Sequence, residues 1–501
     1  ACCGHQWQFN KRITDVLKIP GLGPKTVKAI WDHAGVTDIP SLKEAIASGT
    51  LADVPRMGAK TIQNITDSIA FAEKSSDRTR LGQAQPLAEQ IVASLQQRKD
   101  VKAIDYAGSL RRGRETIGDI DILVAATKAD AISDAFQTMP GVEKVLVAGD
   151  TKSSIRLDVG VQVDLRIVPP DVYGAALMYF TGSKEHNVVM RERAIKRGLR
   201  LNEYGLFPED DEDSPPQTRG IKPVAAKTEQ DIYAALELPY IPPELREARG
   251  EFDTDPPALI TVKDIKAELH AHTIASDGKM TIEELAECAL ERGFHTIAVT
   301  DHSRSSAQAN GLEVDRLLEH IDAVHAVNEA MDDITVLAGS EVDILADGRL
   351  DYNDDILAQL DVVVASPHTA LSQDPKKATA RLLKAIEHPL VHIIGHPTGR
   401  IINKREGLLP DVPTLIAAAV EHDTAMEINS NFLRLDLRDT HVRAVVEAGG
   451  LIAIDTDAHT PQHFEFLRYG VTTARRGWLT KQQCINAWSK TKLYRWLKSK
   501  R

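Results

Sequence analysis

The chain has 501 residues, 43% hydrophobic and 26% charged, with a formal net charge of −12. That composition excludes wholesale disorder, and the length sets about three domains as the expectation. No apolar run approaches the ~18 residues of a membrane span and no basic-then-apolar leader opens the chain, so no membrane partner is expected. Cys2, Cys3, Cys288 and Cys484 form no CxxC, which excludes a disulfide scaffold or thiolate zinc finger and points to the reducing cytoplasm.

The acidic total argues against nucleic acid only until it is divided along the chain. Residues 1–80 carry 11 Lys+Arg against 8 Asp+Glu, a net of +3, while 14 of the 17 histidines fall in residues 259–501. The N-terminal part can therefore meet phosphate, and the C-terminal part points to metal.

Residues 19–30 (IPGLGPKTVKAI) recur as residues 54–65 (VPRMGAKTIQNI) at a spacing of 35. Each copy predicts a short helix, a glycine-containing turn and a second helix. Gly21, Gly23 and Gly58 let the turn backbone approach a ligand, and Lys25, Thr26 and Lys60 open the following helix, whose free N–H groups suit phosphate. This repeat resembles the helix-hairpin-helix that grips DNA through its backbone. A plain Gly-Pro turn in a small bundle is the alternative for one copy; two copies in register favour DNA.

From 102 to 126 the pattern reads strand, turn, strand: KAIDYA, GSLRRGRETIG, DIDILVA. Asp119 and Asp121, two apart, project from one face of a strand while Ile120 and Ile122 enter the core. A further strand at 161–168 carries Asp164. Three carboxylates on neighbouring strands repel unless cations lie between them, and two divalent ions suit an in-line nucleotidyl transfer. The Gly108-Ser109 turn with Arg111 and Arg112 supplies donors for phosphate oxygens.

With GSLRRGRETIGDIDILV (108–124), VDLRIV (163–168) and YFTGSKEHNVVMRERAIKRGLRLNEYGL (179–206), the chain resembles the family X DNA polymerases. By that resemblance Asp119, Asp121 and Asp164 are catalytic and bind Mg²⁺ or Mn²⁺, with Asp164 helping to activate the primer 3′-hydroxyl. Ser109, Arg112 and Gly118 match the triphosphate-holding positions. Tyr179, Phe180 and Gly182 match the sugar-edge segment, and Asn187 and Arg191 match positions beside the nascent pair. Backbone carbonyls of Leu17, Ile19 and Leu22 would hold a monovalent cation. The family's further N-terminal module of about 80 residues has no counterpart in ACCGHQWQFN, so weak gap recognition and no lyase activity are expected. Gln162 stands where vertebrate relatives have an arginine contacting the third aspartate.

Beyond an acidic, proline-rich stretch at 205–258, seven apolar strands alternate with amphipathic helices: 266–271, 296–301, 334–340, 361–366, 391–395, 424–428 and 451–456. They begin about 30 residues apart, the repeat of a βα barrel. His270, His272, Asp277, His302, Glu341, His368, His396, Asp457 and His459 cluster at the strands' C-terminal ends, which converge on one mouth. Imidazole with carboxylate favours Zn²⁺, Mn²⁺ or Fe²⁺, and nine ligands suggest two or three ions. Other histidines of this block, such as His320 and His325, read as ordinary surface or core residues.

HAH (270–272), TDH (300–302), GSE (339–341), SPH (366–368), GHP (395–397) and DAH (457–459) resemble the polymerase-and-histidinol-phosphatase (PHP) domain, a metal-dependent phosphoesterase. The resemblance implies Mn²⁺ or Zn²⁺ held in three sets: His270, His272, Glu341 and Asp457; Glu341, His368 and His396; and Asp277, His302 and His459.

The expected fold is multidomain, α/β and α+β. A helix-hairpin-helix region spans 1–80, a nucleotidyltransferase palm 81–170, a thumb and nucleotide-selection subdomain 171–240, a linker 241–262 and a distorted (β/α)7 barrel 263–501. The order matches the bacterial and archaeal family X polymerases with a C-terminal PHP domain. It implies a repair polymerase acting on primer-template or gapped DNA with deoxynucleoside triphosphates, as a monomer. The barrel would supply 3′-5′ exonuclease, and by the same resemblance AP endonuclease or 3′-end cleaning. Two other readings stand beside this one: a small-molecule phosphatase, and a phosphoesterase whose truncated polymerase serves as an idle DNA-binding scaffold.

Overall fold

The computed structural model describes residues 16, 22, 24–55, 57–63, 65–66, 69, 78–210 and 212–500. They fall into two compact units, Ala1–Arg78 with Arg400–Gly407, and Thr79–Gly399 with Leu408–Arg501.

In the first unit, the helix Pro24–Ala34 buries Val27 and Ile30, three apart on one face, and leaves Lys25 and Lys28 exposed. The helix Ile39–Ala47 starts at Asp38, whose side chain accepts from the Ser41 N–H at 2.9 Å while Ser41 Oγ accepts from the Asp38 N–H. That reciprocal cap satisfies two helix-end donors. Leu42, Leu51, Val54, Met57 and Ile65 close a small core around them.

In the second unit, a five-stranded sheet follows the helix Leu81–Gln96. Its strands are β1 (Val101–Tyr106), β2 (Ile120–Ala126), β3 (Val142–Val147), β4 (Lys152–Leu157) and β5 (Gln162–Val168). Their spatial order is β1-β2-β5-β4-β3, with β2 and β5 parallel and the other neighbours antiparallel. Strand alternation sets the faces: Val163, Leu165 and Ile167 are buried, while Gln162, Asp164 and Arg166 face away from that core. Between β1 and β2 the expected turn contains one helical turn, Gly108–Arg111.

The helices Tyr173–Thr181, Lys184–Ile195 and Glu229–Ala235 and the hairpin 199–208 form the next layer. Residues 241–262, expected as a linker, are built into it. Ile241, Leu245, Arg246, Glu251 and Ile260 are buried. Arg246 Nη1 donates to Glu229 Oε1 at 2.6 Å, and the His186 ring lies between Glu251 (2.9 Å) and the Tyr233 hydroxyl (2.8 Å). Proline and acid content suggests exposure, but pairing each buried charge with a partner makes burial affordable.

Seven parallel strands follow in sequence order: β6 (Ala267–Glu268), β7 (Thr296–Val299), β8 (Thr335–Asp343), β9 (Val362–Ser366), β10 (Ile393–Ile394), β11 (Ala425–Asn429) and β12 (Ile452–Asp455). A parallel bridge between Ala271 and Ala458, with the Leu269 N–H donating to Asp455 Oδ1 at 2.8 Å, joins the first strand to the last. Ala298, Leu337, Val362, Val364 and Ile393 cluster with Trp488, Leu493 and Trp496, so the C-terminal segment plugs the barrel's interior. Residues of opposite parity, such as Ile297, Val336 and Val363, pack against the surrounding helices. Among the described residues no helix is long and apolar enough to cross a membrane.

Two candidate metal centres

In the five-stranded sheet, Asp121 on β2 is paired in register with Asp164 on β5, and Asp119 immediately precedes β2. Ligand oxygens of the three carboxylates lie within 4.8 Å of one another. Burial first, then the charges of Asp119 and Asp164, push Asp121 up to about 7. A cluster that resists its own ionisation is one that a divalent cation would relieve. Gln162 Nε2 donates to Asp164 Oδ1 at 2.9 Å and so holds that carboxylate from its own strand. Gly108 adopts φ +61°, and a Cβ there would lie 2.1 Å from Asp121 Oδ2. Only glycine leaves room for that carboxylate.

The neighbouring donors divide sharply. Arg111 is not aimed at a phosphate: its guanidinium forms a two-pronged pair with Glu229 (2.9 and 2.8 Å) and reaches the Thr181 hydroxyl at 2.8 Å. It ties the turn between β1 and β2 to the helices Tyr173–Thr181 and Glu229–Ala235. Arg112 donates through Nε to Glu247 (3.1 Å) and through Nη1 to the Thr181 carbonyl (2.5 Å). Ser109, in the helix Gly108–Arg111, is partly exposed, and Gly118, just before Asp119, is exposed. Tyr179 and Phe180 meet edge to face at 5.2 Å, Arg166 stacks over Phe180, and Asn187 Nδ2 donates to the Tyr179 carbonyl at 2.7 Å. Gly182, next to Thr181, has φ +70°, and Arg191 is exposed.

In the first unit Leu22 is buried, Lys25, Gly58 and Lys60 are exposed and Thr26 is partly so. Leu17, Ile19, Gly21 and Gly23 lie outside the described residues.

The second centre fills the barrel's mouth. His270, His302, His368, His396 and Asp457 each sit two or three residues past the end of a strand. Glu341 lies within β8, which runs on to Asp343 because it pairs with the whole of β9. Glu341 is central: its carboxylate is 2.9 Å from His302 and His396, 3.2 Å from His368, 3.4 Å from His270 and 3.6 Å from His272. Asp457 Oδ1 lies 3.0 Å from His272, and Asp277 Oδ1 lies 3.2 Å from His459 and 3.6 Å from His302. Three overlapping sets could each hold an ion: His272, Asp277, His302 and His459; His270, His272 and Asp457; and His302, Glu341 and His368. All nine expected side chains lie in the mouth, but His396 belongs to none of these sets and meets the cluster through Glu341, and His272 and His302 are each shared between two sets.

Both oxygens of Glu341, Asp457 Oδ1, His270 Nε2 and both ring nitrogens of His272 are buried without a hydrogen bond. Such atoms carry a desolvation cost that a divalent cation would remove, so the residues present fit metal. Burial would lower His368, but Glu341 and Asp343 outweigh it and raise the ring to about 10; burial and the neighbouring imidazoles press His272 to about 4. Asp457 holds its place with φ 54°, a left-handed backbone. A Cβ on Gly395 would lie 2.3 Å from Ser366 Oγ, so glycine is required just before His396.

Supporting residues escaped the sequence reading. Glu427 Oε1 lies 2.6 Å from His270 Nδ1, Asp343 Oδ1 lies 2.5 Å from His368 Nδ1, and Asn429 Nδ2 donates to Asp457 Oδ2 at 3.0 Å. For Glu427, a charged residue in an otherwise apolar run is the available signal. His320 pairs with Asp301 at 2.8 Å and is no candidate ligand.

Known families divide the chain along the same lines. The helix-hairpin-helix tandem profile matches residues 13–70, the DNA polymerase beta thumb 176–247 and the PHP domain 268–431. A nucleotidyltransferase of polymerase beta type, continued by a metal-dependent phosphoesterase barrel, is therefore the class of protein. Over 96% of its length the chain is 37% identical to the DNA polymerase/3'-5' exonuclease PolX of Bacillus subtilis, covering 84% of that protein. The chain belongs to this PolX family of family X DNA polymerases. A probable phosphatase of Caldanaerobacter subterraneus is 30% identical over 38% of this chain and 75% of its own length. A structure of Leishmania infantum polymerase beta in a ternary complex covers 47% of this chain and 97% of its own, at 22% identity and a TM-score of 0.30.

Proposed function

We propose that this chain extends a DNA primer with deoxynucleoside triphosphates in gap-filling repair, and that its barrel hydrolyses phosphodiesters to trim 3′ ends. The observation that carries the reading is the in-register pair Asp121 and Asp164 with Asp119 beside them. Asp119, Asp121 and Asp164 would hold two Mg²⁺ or Mn²⁺, whose chemistry would be to lower the pKa of the attacking hydroxyl and neutralise the triphosphate. Asp164, steadied by Gln162, faces the primer 3′-oxygen, which displaces pyrophosphate from the α-phosphorus. Ser109, Arg112 and Gly118 hold the triphosphate. Tyr179, Phe180 and Gly182 line the sugar edge, and Asn187 and Arg191 lie by the nascent pair.

In the barrel, His270, His272, Asp277, His302, Glu341, His368, His396, Asp457 and His459 would hold two or three Mn²⁺ or Zn²⁺. Gly21, Gly23, Lys25, Thr26, Gly58 and Lys60 would grip the DNA backbone, with carbonyls of Leu17, Ile19 and Leu22 around a monovalent cation. The setting is the cytoplasm and the working form a monomer. AP-site cleavage or removal of blocked 3′ ends fits the same phosphoester chemistry.

One labelled primer on a gapped template with Mn²⁺ tests the reading. Lengthening with nucleotides and shortening without them is expected. Asp164→Ala should abolish lengthening and keep shortening, and His459→Ala should do the reverse. Loss of both activities in either variant, without unfolding, would overturn the two-site assignment. Shortening alone in the wild type would leave the polymerase part as a scaffold.

A further inference from the structure

Arg476 ends the helix Leu467–Arg476 on the outside of the barrel, yet it is 4% exposed and its guanidinium reaches into the polymerase part. Nη1 donates to the backbone carbonyl of Arg112 at 2.5 Å and to Glu247 Oε1 at 3.0 Å. Nε and Nη2 both donate to Asp439 Oδ2, at 3.1 and 2.8 Å, which fixes the guanidinium from the barrel side. The same Glu247 oxygen accepts from Arg112 Nε at 3.1 Å. One arginine of the barrel thus holds both the backbone of Arg112 and the carboxylate that orients its side chain. The contact is close along its length: a Cβ on Gly113 would lie 2.1 Å from Thr472 Cγ2, one turn before Arg476.

The consequence lies in what Arg112 keeps free. Nε is spent on Glu247 and Nη1 on the Thr181 carbonyl, whereas among the described residues Nη2 has no hydrogen-bond partner. A guanidinium pinned on two sides with one edge open is pre-organised for an oxyanion, because the cost of orienting it is met before the ligand arrives. Glu247 is also a competitor: already paired with Nε at 3.1 Å, its carboxylate would, if unrestrained, be free to swing to the open Nη2 edge and take the place of phosphate. Arg476 shares that negative charge and limits the competition.

We propose that Arg476, a residue of the phosphoesterase barrel, is a positioning residue for the polymerase site and holds Arg112 ready for the triphosphate of the incoming nucleotide. The inference rests on the reading of Arg112 as a triphosphate ligand. The barrel then completes the nucleotide site as well as carrying its own chemistry, and a polymerase part detached from it would bind nucleotide weakly.

The experiment measures single-nucleotide extension and 3′ trimming on the full chain. Arg476→Met should raise KM for the nucleotide about tenfold with kcat within about twofold, and leave trimming unchanged. Arg476→Lys, which keeps the charge but loses the fork, should fall between. Combining Arg476→Met with Glu247→Gln should be less than additive, since the competing charge is then gone. Arg468→Ala breaks another ion pair between the barrel and the polymerase part, to Glu89 (3.1 Å), without touching Arg112, Glu247 or Asp439, and should leave KM unchanged. If Arg112→Ala raises KM but Arg476→Met does not, the coupling is wrong. If Arg112→Ala itself leaves KM unchanged, the triphosphate role of Arg112 fails, and the inference with it. A matching rise in KM for Arg468→Ala, or parallel loss of extension and trimming with a lower Tm in Arg476→Met, would reduce Arg476 to a structural tie.

Discussion

Asp121 and Asp164 stand side by side on parallel strands, neighbours in register and alike in charge. Burial and the charges of Asp119 and Asp164 raise Asp121 to about 7, from an ordinary value near 3.8. The folded chain therefore binds a proton there more tightly than the unfolded chain. Stability from this site is present below the ordinary value and is lost as pH rises through about 7. Asp121→Asn removes the repulsion at neutral pH. Metal-free Asp121→Asn should melt a few degrees higher than the wild type at pH 8 and lack primer extension. Differential scanning calorimetry in a chelator, at pH 8 and pH 5, checks it; the gain should shrink at pH 5.

Glu229 presents the opposite sign. Burial alone would raise it, but hydrogen bonds from Arg111 and the charge of Arg246 outweigh burial and hold it at about 2. Its contribution is present above the ordinary value near 4.5 and is lost as pH falls through about 2. Glu229→Gln leaves two guanidinium groups with reduced counter-charge and should cost about 3–5 kcal/mol at pH 7. Urea titrations at pH 7 and pH 3 should show the gap between variant and wild type narrowing at the lower pH. An equal gap at both would mean the loss is one of shape rather than charge.

Glu341 is within 3.6 Å of five imidazoles, more than any other carboxylate of the mouth. Glu341→Gln should lower the divalent metal retained per chain by about one ion and cut 3′ trimming by about 100-fold or more. Extension should stay within about twofold. Elemental analysis after gel filtration, alongside both assays, decides it, and unchanged metal content would remove Glu341 from the centre.

Much of the barrel is legible in the sequence for a physical reason. Buried parallel strands must be apolar, so stretches such as IAV before His302 or VVVAS before His368 stand out, and their metal-type residues follow at nearly constant offsets. What sequence cannot resolve is pairing at a distance. Arg111 and Arg112 are adjacent and alike, yet one is spent on Glu229, 118 residues on, and the other is left with an open edge. Residues 241–262 look like a linker because proline and charge dominate them, while the burial of Arg246 depends on Glu229. Glu427 lacks a motif of its own; its role exists only because β11 brings it beside His270.

That position makes Glu427 testable. Its Oε1 is 2.6 Å from His270 Nδ1, and its Oε2 accepts the His396 backbone N–H at 2.5 Å. One buried carboxylate thus orients one candidate ligand through its ring and another through its main chain. With the Nδ1 side of His270 committed to Glu427, Nε2 is the nitrogen turned toward Glu341 and Asp457. Glu427→Gln weakens the acceptor that fixes the ring without removing any of the nine side chains. Metal affinity should fall about 10–100-fold, the usual effect of losing such a partner. Trimming should then be poor at micromolar Mn²⁺ and recover as Mn²⁺ is raised, with extension unaffected. A defect that no concentration of Mn²⁺ restores would mean that Glu427 acts on the substrate or the reacting groups, and that its hydrogen bond to His270 is not its main role.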